Sequence, residues 1–236
     1  MRFASATLPG TAEEELRDEF FRHSPPGFFV DVGANQPRIG SQTWALEQRG
    51  WSGVLIEPQP DLADALRHHR RRAKVYAVAC SSPANAGKTL RLHLAGVHSS
   101  LSPHFYAAGM ERRGSIDVPV MTLDQILDDA QAPAPIDFLS IDVEGHEMDV
   151  LAGFDLARWR PRLILVEDEV KSRRVHRHLR ASHYKWMRRT GFNAWYVPRD
   201  HPINIGLFGT LQFVRKYYLG LPIRLARDAK RRFLHQ

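Results

Sequence analysis

The chain has 236 residues, of which 43% are hydrophobic and 25% are charged; this composition suits one α/β domain and excludes a disordered or fibrous protein. We expect neither a transmembrane helix nor a signal peptide, because no apolar stretch approaches about 18 residues and the N-terminal region is rich in glutamate. The formal net charge of +7 is uneven, since residues 171–236 carry 16 lysines and arginines against two acids.

Strands and helices alternate along the chain with short connections. In chain order we predict helix 11–23, strand 28–32, helix 38–49, strand 51–58, helix 61–72, strand 74–79, edge strand 90–94, helix 122–127, strand 136–142, helix 147–153, strand 161–167, a basic helix 171–190 and strand 191–197. This alternation predicts an α/β fold with a doubly wound, mostly parallel sheet. We divide the chain into an N-terminal helix in residues 1–26, a central domain in residues 27–200 and a basic amphipathic extension in residues 201–236.

Four of the predicted strands end in a carboxylate. These residues are Asp31, Glu57, Asp142 and Glu167. The carboxyl ends of parallel strands lie at one edge of a sheet, where ligands of open α/β sheets bind, so we expect the four acids to converge on one crevice. An acid after a strand is also commonly a helix cap or a solvated loop residue, and this alternative stays open for each of them.

The turn after the first strand indicates which ligand binds there. Gly33 follows Asp31, but the next residues lack the later glycines that make room for the pyrophosphate of a dinucleotide. Glu57 lies 26 residues after Asp31, roughly the spacing at which such folds place an acid on ribose hydroxyls. A ligand with ribose and adenine but no phosphates, such as S-adenosylmethionine, therefore fits better than NAD or FAD.

Three blocks of sequence carry a resemblance to a known family. They are FVDVGAN at residues 29–35, GVLIEP at residues 53–58 and DFLSIDVEGHE at residues 137–147. Over residues 27–195 the chain resembles the FkbM family of S-adenosylmethionine-dependent O-methyltransferases. The resemblance implies a class I methyltransferase fold, which is a Rossmann-like doubly wound sheet with one antiparallel strand. It also implies methylation of a sugar hydroxyl of a natural product, surface polysaccharide or glycolipid.

The resemblance further implies how the cofactor is bound. The implied cofactor residues are Asp31, Gly33, Asn35, Glu57, Ala79 and Cys80. The first three would contact the methionine part and ribose, Glu57 would hold the ribose hydroxyls, and the last two would border the adenine. Ser99 and Ser100 match a small polar pair of the family, which places them near the mouth of the active site.

A sugar hydroxyl is a poor nucleophile at neutral pH and needs a general base or a metal. His146, just after the strand that ends at Asp142, is chemically suited to be the base, although it could equally be a solvent-facing residue at a helix start. Asp142, Glu144 and Glu167 form an all-oxygen set that could hold Mg²⁺. In the alternative, Asp142 and Glu144 bind the cofactor amine and cap the following helix. The catalytic candidates are thus His146, Asp142 and Glu144.

The basic C-terminal extension allows three interpretations: a solvated helix that closes the domain, a helix bound to an anionic membrane surface, or a nucleic-acid-binding segment. The single cysteine, Cys80, lies in an apolar run and permits no internal disulfide, so we expect a core residue and a reducing compartment. We therefore expect a cytoplasmic protein, which a membrane-binding tail would make peripheral to the inner membrane face.

Sugar O-methylation competes with three other functions. RNA methylation is suggested by the basic character, but two acids at Asp142 and Glu144 would repel phosphates, so we do not expect a nucleic-acid partner. A non-catalytic adaptor would bind the cofactor without turnover. An NAD-dependent oxidoreductase would bind NAD in preference to S-adenosylhomocysteine.

Overall fold

The computed structural model describes residues 11–102, 114–168, 172–224 and 226. Its helices are α1 (Thr11–Phe20), α2 (Trp44–Gln48), α3 (Pro60–His69), α4 (Leu123–Ala130), α5 (Glu147–Ala152), α6 (Leu156–Trp159), α7 (Arg174–Ala181) and α8 (Gly206–Val214). Its strands are β1 (Phe28–Val32), β2 (Ser52–Ile56), β3 (Ala73–Tyr76), β4 (Ala79–Cys80), β5 (Thr89–His93), β6 (Ser115–Met121), β7 (Phe138–Ile141), β8 (Leu163–Glu167), β9 (Tyr184–Thr190) and β10 (Asn193–Pro198).

A seven-stranded sheet forms the centre of the fold, with strand order β3-β2-β1-β7-β8-β10-β9. Pairing is parallel from β3 to β8, and β10 is antiparallel to both of its neighbours. The predicted α/β fold with a mostly parallel sheet and one antiparallel strand is therefore confirmed. The strand order reverses between β1 and β7, and such a reversal opens a crevice beyond the carboxyl ends of the two strands.

Both faces of the central sheet are covered, because successive side chains of a strand point to opposite faces. In β1, Val30 and Val32 belong to an apolar cluster that includes side chains of α4 to α7. Phe29 belongs to a second cluster, on the other face, that includes side chains of α1 to α3. The near-continuous apolar runs of the strands follow from this double burial, as predicted for β1.

The segment of the chain between β3 and α4 forms a small second sheet. It contains β4, β6 and β5 in that order, with β4 parallel and β5 antiparallel to β6. The chain then makes a single 3-10 turn at Gly96–His98, and a bridge between His93 and Ser100 closes this loop. The sequence predicted the edge strand here but not β6, whose proline at position 119 is accommodated within a strand of this small sheet.

Two predicted helices were wrong in extent. Helix 38–49 is reduced to α2, because Gly40 adopts a left-handed φ of 72° and the Ser41 hydroxyl accepts bonds from the amides of Thr43 and Trp44. The basic helix predicted over residues 171–190 is α7 followed by β9. In β9 the buried Tyr184 and Trp186 give the strand its period-two pattern. The basic residues of the strand made this segment read as a continuation of the basic helix.

The C-terminal extension is helical from Gly206. A π-helical turn at Arg215–Leu219 follows α8, and residues 220–224, which include Pro222, are again helical. Four of the basic residues of the extension, Arg227, Lys230, Arg231 and Arg232, lie outside the described part. No helix among the described residues is both long enough and apolar enough to span a bilayer.

Candidate active site

A cavity of about 390 Å³ opens at the carboxyl ends of β1, β2 and β7, at the reversal of the strand order. The predicted residues that line it are Asp31, Gly33, Asn35, Glu57, Ala79, Cys80, Asp142, Glu144 and His146. The structure thus brings together every predicted cofactor and catalytic residue. Glu167 does not line the cavity, although it lies close to two residues that do.

The turn after β1 is built around close contact between two strand ends. Gly33 has a φ of 85°, and a Cβ atom at this position would lie 1.8 Å from the carbonyl oxygen of Asp142. Only glycine fits such a conformation and such an approach. Asn35 is also left-handed, with a φ of 50°, a conformation that asparagine tolerates better than most residues. The backbone of this turn therefore forms the wall of the cavity.

Glu57 joins this turn to the end of β2. Its Oε2 atom accepts a hydrogen bond of 2.9 Å from the amide of Asn35, and its Oε1 atom accepts one of 2.9 Å from the amide of Gln59. Burial raises the pKa of Glu57, and these two amides counteract the rise. A carboxylate offers about four acceptor positions, so these bonds leave acceptor capacity for ligand hydroxyls.

Asp31 is buried beside the same turn. The hydroxyl of Thr43 donates to its Oδ2 atom over 2.8 Å, and the guanidinium of Arg70 donates to Thr43 over 2.9 Å. Arg70 is itself held in a buried ion pair with Glu47. Burial raises the pKa of Asp31, while Thr43 and the positive charge of Arg70 favour its ionised form. The chain of contacts fixes the orientation of the carboxyl group at the cavity wall.

Three carboxylates converge at the ends of β7 and β8. One oxygen from each of Asp142, Glu144 and Glu167 lies within 4.8 Å of the others. Asp142 is exposed to the cavity, and desolvation by the surrounding protein raises its pKa to about 7, with further contributions from the charges of Glu144 and Glu147. Oxygen ligands at this spacing suit a hard divalent cation such as Mg²⁺.

The loop between β7 and α5 presents Glu144 to the cavity. Glu144 has a φ of 55°, which is rare for a residue with a Cβ atom and typical of functional sites. The following Gly145 is also left-handed, and its amide donates a 2.9 Å hydrogen bond to the buried carboxylate of Glu147. The hydroxyl of Ser100 donates to the carbonyl oxygen of Glu144 over 2.6 Å. These contacts hold a strained turn in place.

His146 lines the cavity, but both of its ring nitrogens face protein groups. Its Nε2 atom lies 2.8 Å from the hydroxyl of Ser81, and its Nδ1 atom lies 3.5 Å from a carboxylate oxygen of Asp149. The side-chain amide of Asn85 donates to the same Ser81 hydroxyl over 2.9 Å. Burial lowers the pKa of His146, so the ring is neutral at neutral pH.

A second histidine lies at the mouth of the cavity, and the sequence analysis gave it no role. The Nδ1 atom of His98 lies 2.8 Å from Oε1 of Glu144, and half of the His98 side chain is exposed. Both residues line the cavity. The neighbouring Ser99 lines it too, and its hydroxyl closes the turn by donating to the carbonyl oxygen of Gly96. The only signal in the sequence was a histidine beside the Ser99-Ser100 pair.

Two small apolar residues also line the cavity. Ala79 and Cys80 form β4, and both are buried at the cavity wall. Burial raises the pKa of the Cys80 thiol well above its usual range, so it stays protonated. A protonated, buried thiol is a poor nucleophile, and Cys80 therefore contributes packing to this wall.

Comparisons with known sequences and structures bear on the family and the fold of the chain. Residues 31–193 match the sequence model of the methyltransferase FkbM domain. The chain has no significant match among curated protein sequences. A methyltransferase FkbM from Methylobacillus flagellatus KT has a TM-score of 0.52 and 17% identity, over 80% of this chain and 48% of its own. This chain thus spans about half of that protein, and the likeness shows a shared fold.

Two further solved structures match with TM-scores of 0.45. A methyltransferase from Geobacter sulfurreducens is 14% identical over 83% of this chain and 82% of its own. The N-terminal domain of human METTL16, in complex with SAH, is 12% identical over 83% of this chain and 71% of its own.

Proposed function

Because the chain belongs to the FkbM methyltransferase family, we propose that it transfers the methyl group of S-adenosylmethionine to a sugar hydroxyl of a glycan, glycolipid or natural product. One observation carries the choice of a hydroxyl acceptor. A histidine–glutamate pair, His98 and Glu144, stands at the mouth of a cavity whose inner wall carries the predicted cofactor residues. Such a pair can accept the proton that a hydroxyl loses on methylation.

The donor occupies the inner part of the cavity. Glu57 accepts hydrogen bonds from the two ribose hydroxyls with its remaining acceptor positions, and the turn at Gly33 and Asn35 lies against the ribose and the methionine part. Ala79 and Cys80 border the adenine with an apolar surface. In this proposal the sulfonium would lie near the ends of β1 and β7.

In the reaction the acceptor oxygen forms a bond to the methyl carbon as the carbon–sulfur bond breaks, and S-adenosylhomocysteine leaves. The hydroxyl proton moves to Nε2 of His98, whose Nδ1–H is held by Glu144. His98 is better placed for this step than His146, because both nitrogens of His146 face Ser81 and Asp149. Alignment of the oxygen with the methyl group supplies much of the acceleration.

The carboxylate cluster fits a Mg²⁺ ion. Asp142, Glu144 and Glu167 supply three oxygen ligands within 4.8 Å of one another, and a cation would offset the mutual repulsion that contributes to the raised pKa of Asp142. When bound, the ion would lower the pKa of the acceptor hydroxyl. RNA as the acceptor is disfavoured, because the same acids would repel phosphates at the mouth of the cavity.

Labelled-methyl transfer tests the proposal. The full chain is incubated with methyl-labelled S-adenosylmethionine and glycan, glycolipid and RNA fractions of the source cell, and the labelled sugar is identified by linkage analysis. We expect label in a sugar methyl ether, and none with Glu57→Ala. Label in RNA alone would reject the sugar acceptor, and S-adenosylhomocysteine binding without transfer to any fraction would indicate an adaptor.

A further inference from the structure

The C-terminal helix presents an apolar face to solvent. Six large side chains form this outer face: Leu207, Phe208, Leu211, Tyr218, Leu219 and Ile223. Leu207, Phe208 and Ile223 are 78%, 68% and 70% exposed. Apart from Ile39 and Phe192, every large apolar residue that is exposed in the described part of the chain lies on this helix. Such a concentration marks an interaction surface.

The opposite face of the helix is bonded to the rest of the domain, and these contacts keep the outer face turned towards solvent. Gln212 exchanges two hydrogen bonds, of 3.1 and 3.0 Å, with the backbone of Arg189 in the edge strand β9. Phe213 stacks on the buried Tyr217 with ring centroids 4.8 Å apart. The hydroxyl of Tyr217 donates to Asp168, the residue that follows β8. Turning the helix to bury its outer face would break all of these contacts.

The surroundings of the outer face are basic. Residues 206–224 contain three basic residues and no acid. Arg188 lies 5.7 Å from the ring of Phe208, and Arg173 lies 5.1 Å from the ring of Tyr218. The adjacent helix α7 exposes Arg174, Arg177 and Arg180. An apolar stripe bordered by arginines is complementary to the surface of an anionic bilayer. The apolar side chains can insert among the acyl chains while the arginines pair with the anionic headgroups.

We propose that the outer face docks the protein on a membrane surface that contains anionic phospholipid. A second copy of the chain would bring the same positive charges together, and a nucleic acid would leave the apolar stripe unused. The attachment of Tyr217 to Asp168, next to Glu167, ties the docked helix to the carboxyl edge of the sheet, where the cavity opens. If the proposed function holds, docking presents the active site to acceptors carried on lipid.

Vesicle flotation of the full chain tests the docking surface without depending on methyl transfer. Vesicles of phosphatidylcholine mixed with phosphatidylglycerol are compared with vesicles of phosphatidylcholine alone. We expect the protein to float with the mixed vesicles only. Leu211→Ser combined with Leu219→Ser should weaken partitioning about a hundredfold or more, because two leucines that would enter the bilayer are lost, whereas Leu211→Met with Leu219→Met should retain it.

Charge is tested in the same way. Arg174→Glu combined with Arg177→Glu should weaken binding to the mixed vesicles at least about tenfold. Arg71→Glu, in an exposed turn at the opposite edge of the sheet, should leave binding unchanged. Unaltered S-adenosylhomocysteine binding reports that each variant is folded. Equal partitioning of the wild type and the serine variant overturns the proposal. A dimer in sedimentation that the serine variant loses, without vesicle binding, also overturns it.

Discussion

The Nδ1 atom of His98 lies 2.8 Å from Oε1 of Glu144, although the two residues are 46 positions apart in the chain. The small sheet carries His98 to this position, and the strained turn after β7 carries Glu144. In the tautomer in which Nδ1–H donates to the carboxylate, the lone pair of Nε2 is available at the mouth of the cavity. This is the tautomer that the proposed role of His98 as base requires.

Replacement of His98 tests the base. His98→Asn should lower turnover by about 10²–10⁴-fold, because the proton acceptor is lost, and should leave S-adenosylhomocysteine affinity nearly unchanged. His146→Ala should lower turnover by less. His69→Asn, on the exposed surface of α3, is the matched control. If His98→Asn retained full turnover while His146→Ala lost it, the role of base would pass to His146.

Replacement of Glu57 tests the donor site. Glu57→Ala should weaken S-adenosylhomocysteine binding about a hundredfold or more in calorimetry, because two hydrogen bonds to a charged acceptor are lost and the turn at Asn35 loses its anchor. Asp61→Ala, in the exposed first turn of α3, should bind normally. Unchanged affinity in Glu57→Ala would place the ribose elsewhere.

Substitution of two glycines distinguishes the stability cost of a left-handed backbone conformation from the stability cost of a steric clash. Gly87→Ala should cost about 1–2 kcal/mol, since Gly87 has a φ of 75° but nothing within 4 Å of a new Cβ atom. Gly33→Ala should cost on the order of 4 kcal/mol or more, because its Cβ atom would meet the Asp142 carbonyl. Denaturant unfolding measures both. Equal losses would show that the two strand ends can separate freely.

Acid should destabilise the protein through its buried histidines. Burial lowers the pKa of His178 below its usual 6.5, so the unfolded chain takes up the proton first as the pH falls through 6.5, and the free energy of unfolding decreases. The Nε2 atom of His178 is buried and has no hydrogen-bond partner among the described residues. His178→Leu should therefore reduce the loss of stability between about pH 6.5 and 5 in thermal unfolding. The exposed His68→Leu should not, and identical pH profiles for wild type and His178→Leu would contradict the assignment.

Metal dependence is tested by chelation. We expect EDTA to lower turnover and added Mg²⁺ to restore it, because the three carboxylates form an oxygen site. Glu167→Gln, which replaces one charged ligand with a neutral amide outside the cavity lining, should raise the Mg²⁺ concentration needed for half-maximal turnover. If neither EDTA nor added Mg²⁺ changed turnover, the metal would be ruled out and the base alone would activate the hydroxyl.

Structural features that are marked by local sequence patterns were predictable. The apolar runs ending in Asp31, Glu57 and Asp142 identified three adjacent strands and their common edge, and the fold confirms that arrangement. His98 was not predictable, because its role depends on a contact with a residue in another part of the chain. The strand β9 was mistaken for helix, because its basic residues hid the alternation of Tyr184 and Trp186 that tertiary burial makes evident.

The cavity is assembled from several separate segments of the chain. The parallel sheet supplies the turn at Gly33 and the acid at Glu57, whereas the loop after β5, residues 94–102, supplies His98 and is clamped to the β7–α5 turn by Ser100. In the proposed function the methyl donor lies against the sheet and the acceptor lies against this loop. Exchange of the loop alone would then change the acceptor and leave binding of the methyl donor intact.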